Sequence, residues 1–337
     1  MKTHIAVFLV MLFGASILVA QSGASVVGAG YTDPSHIAIA PGQVITLFLT
    51  NVKGAVPFNQ TANALPLPTQ MAGLSVTLRV FKNIEPIPAP IVGVQQRVTG
   101  CSGTAPEVMT TDTCRIVGLT IQVPTGFSLP LPFSTPEANR LQQLVVSENG
   151  VPGPPIAFYL YPDNIHVVTN CEPIQSFPLN RNCQGYVTHA NGALVQATDP
   201  AQPGETLILY AFGLGGTIPT VAAGSVAPTP PAKLVSPLQL AFDFTPGAAP
   251  TWPGPPSATV IRDVASFAGL APNYAGLYQV NFKLPTPPKG TPACLTSGVQ
   301  SNVTITLVGD YTFDGAQFCV KVDQVAASQP AQGGIAH

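Results

Sequence analysis

A chain of 337 residues with 13 Lys and Arg against 15 Asp and Glu has a formal net charge of −2, and charged residues make up only 8% of it, against about 25% in an ordinary soluble domain. No basic stripe exists to track a phosphate backbone, which excludes a nucleic-acid partner, and a hydrophobic share of 46% excludes a disordered chain. The 37 Pro and 31 Gly exclude long helices and long central strands, because proline lacks a backbone donor and clashes inside both.

The chain opens with Lys2 and His4, then an apolar run from Ile5 to Ala20. A short positive region before a hydrophobic stretch predicts a secretory signal peptide over residues 1–20. Cleavage after Ala20 leaves Leu18 at −3. Cleavage after Ala24 puts Ser22 there and fits the small-residue rule better. The run is somewhat shorter than the roughly 20 residues of a spanning helix and is broken by Gly14 and Ser16; an uncleaved anchor is the alternative. No later segment reaches 18 uninterrupted apolar residues. The mature chain is therefore expected without a transmembrane segment, at an exported location: secreted, periplasmic or on the cell surface.

Beyond the signal, one order of segments occurs twice. Ala40-Pro41-Gly42-Gln43 feeds the apolar run 44–50, as Gln202-Pro203-Gly204-Glu205 feeds 206–212. Segment 73–80 is echoed by 237–244, with period-two alternation that predicts half-buried strands. Segment 118–124 is echoed by 276–285, and 155–160 is matched to 302–307. The reading is all-β: two tandem immunoglobulin-like β-sandwich domains, over 25–168 and 169–325, then an unstructured tail at 326–337. The one helix candidate is Pro136 to Val146, with Thr135 as its N-cap. Two Pro-rich segments, Pro219 to Leu234 and Pro246 to Pro256, read as extended loops along one edge of the second domain.

Six cysteines fall into three sequence-local pairs: Cys101 with Cys114, Cys171 with Cys183, and Cys294 with Cys319. Six allow 15 connectivities, of which local pairing is the simplest, and export places them where disulfides persist. Zinc would favour C-x₂₋₄-C spacing, which does not occur, so no metal is expected.

Leu-Pro-x₄-Gly73-Leu-Ser-Val, Asn191-Gly-Ala-Leu, Pro203-Gly-Glu, Tyr210-Ala-Phe-Gly-Leu-Gly215 and, most specifically, Gly269-Leu-Ala-Pro-Asn-Tyr-Ala-Gly-Leu-Tyr-Gln-Val-Asn281 resemble a family of secreted C-terminal domains abundant in soil acidobacteria. The resemblance spans roughly Val26 to Leu307. It implies an exported protein with Ig-like repeats and implies no activity. The cysteine loops and the insert from Pro246 to Pro256 depart from the family pattern. Family members often sit behind other domains, so a role taken from such a neighbour does not carry over.

No H-E-x-x-H, G-x-S-x-G, P-loop or G-x-G-x-x-G motif is present, and the carboxylates are too thinly spread to pick out a glycosidase pair. No cofactor is expected. Asp310 to Gly315 is the nearest thing to an acidic loop. It lacks the ligand density of a calcium loop and reads as a turn between the last strands, held near Cys319. Asn59 and Asn302 match the glycosylation sequon by chance. Trp252, the sole Trp, sits in a Pro-rich loop, either as an anchor for a sugar or protein partner or folded back over a sandwich edge. Tyr274 and Tyr278 read as inter-sheet core or corner residues, with a binding role second. The expected function is an exported non-catalytic structural, adhesive or protein-interaction module. Its partner would be an unknown protein or polysaccharide at the cell surface. A carbohydrate-binding protein is the alternative, and an enzyme comes third.

Overall fold

Short apolar runs bounded by Pro-Gly turns can bury a face only by stacking against another such layer. The computed structural model describes residues 23–29, 37–57, 59–79, 85–98, 115–125, 141–169, 184–252, 259–295 and 298–322. Among these there is no helix; every regular element is a strand. The first are β1 (Ser25–Ala29), β2 (Ile37–Ile39), β3 (Val44–Thr50), β4 (Asn59–Thr61), β5 (Gln70–Met71) and β6 (Leu74–Arg79). Then come β7 (Ile87–Pro88), β8 (Ile91–Val98), β9 (Arg115–Gln122), β10 (Leu141–Glu148), β11 (Val151–Pro152) and β12 (Ile156–Leu160). The second half holds β13 (His166–Val167), β14 (Val187–His189), β15 (Thr206–Phe212), β16 (Thr217–Ile218), β17 (Lys233–Leu234) and β18 (Gln239–Asp243). It closes with β19 (Val260–Val264), β20 (Phe267–Leu270), β21 (Tyr278–Lys283), β22 (Val303–Val308) and β23 (Phe313–Phe318).

Four sheets result. One runs β1-β3-β9-β8-β4. A second runs β2-β12-β10-β6-β5, with β11 and β7 at its margins. Ile45, Leu47, Leu119 and Ile121 of the former meet Leu74, Val76, Leu144 and Phe158 of the latter in one core. The third sheet runs β13-β15-β21-β20-β17-β16, with β14 on β15, and the fourth runs β19-β18-β22-β23. Leu207, Leu209, Val280 and Phe282 there meet Leu240, Phe242, Ile305 and Phe318 in a second core. Phe282 stands 5.6 Å from Phe242 and 6.4 Å from Phe318, ring centre to ring centre. Each such fully buried ring contributes about 1.5–3 kcal/mol by removal from water.

The two Pro-Gly turns open their units with the same hydrogen bonds. Gly42 N–H donates to Val123 and Val123 N–H to Gln43, before β3 pairs with β9. Gly204 N–H donates to Leu284 and Leu284 N–H to Glu205, before β15 pairs with β21. β6 and β18 likewise hold matching places. The fourth expected match is shifted by one strand: β22 lies beside β18 as β10, not β12, lies beside β6.

Three further expectations are corrected. The helix candidate is corrected over its described part: residues 136–140 lie outside the described set, and Leu141–Glu148 is a strand between β12 and β6. Leu144 and Val146 are buried while Gln143 is exposed, so from Leu141 on the burial has period two, set by the two flanking strands. The boundary expected at 168/169 leaves β13 with the first unit. Its ladder with β15, and the burial of Ile165 and Val167 in the second core, place it with the second. Tyr274 is no core residue; it is 59% exposed on the turn between β20 and β21.

Cys294 and Cys319 form a disulfide tying the loop before β22 to the end of β23. Cys101, Cys114, Cys171 and Cys183 lie outside the described residues, as do the signal segment and the tail. No helix among the described residues is long and apolar enough to cross a membrane.

Candidate functional site at the junction of the two units

Chain order places residues 161–164 between the cores, and this linker is bonded in both directions. Asp163 is 4% exposed. Its carboxylate accepts N–H bonds from Asp310 (2.8 Å), Tyr311 (3.1 Å) and Thr312 (2.8 Å), and the Thr312 hydroxyl donates to it at 2.6 Å. The loop that looked acidic in sequence therefore acts as a nest of donors around an anion. It is the β22–β23 turn as expected, but Cys319 follows the opposite end of β23.

The next residue, Asn164, donates its amide N–H to Gly213 of the second unit, and its side chain donates to Ala38 (2.8 Å) and Gln43 (3.2 Å) of the first. Gln43, fully buried, returns a bond from Nε2 to the Asn164 carbonyl at 3.1 Å. Gly213 sits at φ +71°, and an added Cβ would lie 2.1 Å from the Asn164 carbonyl oxygen. Only glycine permits that approach.

A third set of bonds comes from the Pro-rich segment 219–234, which joins β16 and β17 at an edge of the second unit, as expected, and also turns back onto the first unit. Gly224 N–H donates to Gln122 Oε1 at 2.6 Å, and Leu67 N–H donates to the Gly224 carbonyl at 2.8 Å. Thr125 bonds Val221 and Ala223. Between this segment and the linker lies a cavity of about 380 Å³ lined by Gln122 and Thr125 of the first unit and Thr217, Leu270 and Tyr278 of the second. Tyr278 is buried as expected and donates its hydroxyl to the Gly215 carbonyl. Burial pushes its pKa well above the ordinary phenol value, so it acts as a fixed neutral donor.

The second Pro-rich segment, as far as Trp252, lies across the outer face of β22 and β23. Thr304 donates to Ala248 at 2.7 Å, and Gln317 donates to Ala248 at 2.7 Å. The last described residue of this strap is Trp252, 51% exposed and set edge-on against Phe313 at 5.9 Å and 71°. Trp252 is thus folded onto the sandwich edge, with half of its surface facing solvent. Tyr311 lies two residues before Phe313 in the chain and belongs to a second group of rings. It stands 6.4 Å from Tyr161, which stands 6.4 Å from Tyr159. The sequence reading missed this stripe, because its members lie on β12, the linker and a hairpin far along the chain.

At the opposite end of β15, His189 Nδ1 lies 2.6 Å from Glu205 and its Nε2 lies 3.6 Å from Asp199. Burial pulls the imidazole pKa down, but the hydrogen bond and charge of Glu205, with Asp199 behind it, outweigh this and hold it above 6.5. Among the described residues, no cluster of His, Cys, Asp and Glu has metal-holding geometry. Asn302, one of the two sequon matches, is fully buried and exchanges bonds with Val320 in both directions.

No family model and no curated protein matches the chain. Among solved structures, it is similar to dimeric latent PorU from Porphyromonas gingivalis at 10% identity and a TM-score of 0.21, over 90% of this chain. The chain spans 24% of the length of that protein, and likeness at this level carries no argument about fold or function.

Proposed function

We propose that the chain is an exported, non-catalytic module of the cell envelope or extracellular space. In this reading two Ig-like sandwiches, related by duplication, are locked into one rigid body that makes structural or adhesive contacts with a surface protein or polysaccharide. The observation that carries it is the Asp163 latch. Four donors from the second unit converge on a buried carboxylate in the linker, an arrangement that fixes two surfaces relative to each other. The Cys294–Cys319 disulfide suits an oxidising compartment.

The test is location and retention. An epitope-tagged chain should fractionate with the envelope or the medium, and purified mature protein should co-sediment with washed envelopes. Asp163→Ala should weaken retention while circular dichroism still reports folded sheets. Recovery of reduced protein from the cytoplasm, or substrate turnover abolished by one point change, would overturn the reading.

A further inference from the structure

We propose that the aromatic stripe Trp252–Phe313–Tyr311–Tyr161–Tyr159 is a binding site for a neutral polysaccharide chain laid across the junction. The inference rests on the adhesive reading above and names its ligand class. Three of the rings are substantially exposed: Trp252 at 51%, Tyr311 at 42% and Phe313 at 39%. Trp and Tyr offer an apolar face with a polar tip, the combination that meets a sugar ring's C–H face and its hydroxyls together. Trp252 follows a strap bonded at Ala248 by Thr304 and Gln317 and rests edge-on against Phe313, contacts that reduce the freedom lost on binding.

Charge selects the polymer. Segments 158–163, 246–252 and 308–318, which carry or support the stripe, contain no Lys or Arg, and they expose Asp310, with Asp314 partly exposed beside His166 and Asp163 buried among its donors. Such a surface repels a polyanion such as a uronate or phosphate polymer. It offers a neutral glycan aromatic faces and the exposed Asp310 as a hydroxyl acceptor. The stripe runs over strands and a hairpin of both units, and three of its rings are exposed, so it fits an extended chain. The latch gains a purpose in this reading. Asp163 fixes the β22–β23 turn, and with it the spacing between Tyr311 of the second unit and Tyr161 of the first.

The sole tryptophan supplies the assay. Purified mature protein would be titrated with soluble neutral polysaccharides (xylan, mannan, dextran and hydroxyethyl cellulose) while Trp252 emission is followed, with affinity gel electrophoresis as a second readout. At least one polymer should shift the emission and retard the protein. Trp252→Ala and Tyr161→Ala should each lose tenfold or more in affinity on the gel, whereas Tyr274→Ala, exposed but off the stripe, should bind like wild type. Tyr161→Leu keeps apolar bulk without the ring and guards against loss of fold, checked by thermal unfolding. Failure of every neutral polymer to bind, or full binding by either stripe variant, overturns the proposal. Envelope retention that persists through those failures leaves the adhesive reading standing on a different surface.

Discussion

The two Pro-Gly turns share their backbone hydrogen bonds and differ in the side chain that caps them. In the first, Gln43 Oε1 accepts the Ala40 N–H at 2.8 Å; in the second, Glu205 Oε2 accepts the Gln202 N–H at 2.8 Å. The geometry asks only for an oxygen, so the surroundings decide its charge. Gln43 is fully buried against Asn164, where an amide can give one bond and take another without an ion to desolvate. Glu205 keeps 23% of its side chain exposed beside His189, which supplies a countercharge. One turn has become part of a junction and the other part of a free end.

Exchanging that chemistry should produce the largest effect. Gln43→Glu puts a carboxylate where Asn164 presents its carbonyl as well as its amide. An unpaired buried charge of this kind costs about 3–5 kcal/mol. The deficit should grow as pH rises above about 4.3, the ordinary glutamate value, and shrink below it as the protonated acid regains a donor. Urea unfolding at pH 4 and pH 7 measures it. A loss below 1 kcal/mol at pH 7 would mean that the junction opens to water and that the two units are not locked there.

Much of the fold could be read from local pattern. Alternation placed Leu74–Arg79 and Gln239–Asp243, the Pro-Gly turns located the starts of β3 and β15, and spacing paired Cys294 with Cys319. The site could not be read in this way. Asp163 binds donors 147 to 149 residues away, and nothing in its own neighbourhood marks it as other than a loop aspartate. Tyr274 and Tyr278 share a motif, yet one is exposed and the other buried, because the turn at 271–276 ends before β21 begins. The stripe has the same cause: Tyr159 and Phe313 are ordinary strand residues until the fold brings the two units together.

Glycine substitutions sharpen the contrast at intermediate scale. Gly42 and Gly204 both sit in the left-handed region, at φ +77° and +82°, where alanine costs about 1–2 kcal/mol at either site. A methyl group at Gly42 would also press on Thr125 at 3.3 Å and the Tyr278 hydroxyl at 3.5 Å, while one at Gly204 meets nothing closer than Lys283 at 3.8 Å. Gly42→Ala should therefore be the more damaging by about 1 kcal/mol. It should also weaken the pairing of the units, seen as faster proteolysis of the linker. Equal costs at the two sites would remove the junction from the explanation.

The smallest effect belongs to the free end, and pH reveals it. Burial raises the Glu205 pKa, but the Gln202 N–H and His189 outweigh this and hold it below 4.5. Its stabilisation is complete above that value and is lost as pH falls through the lower folded pKa. His189 is held above 6.5, so its share is complete below 6.5 and is lost as pH rises through the higher folded value. Both shares are complete only between pH 4.5 and 6.5. Glu205→Gln converts this turn to the chemistry of the first and leaves the Gln202 bond an acceptor, so it removes charge alone. The loss should be about 0.5–1 kcal/mol in that window, or about 1–4 °C in Tm, narrowing by pH 8.5 as His189 gives up its proton. A difference that stays constant from pH 5.5 to 8.5 would show that the second turn, like the first, uses its side chain as an oxygen and not as an ion.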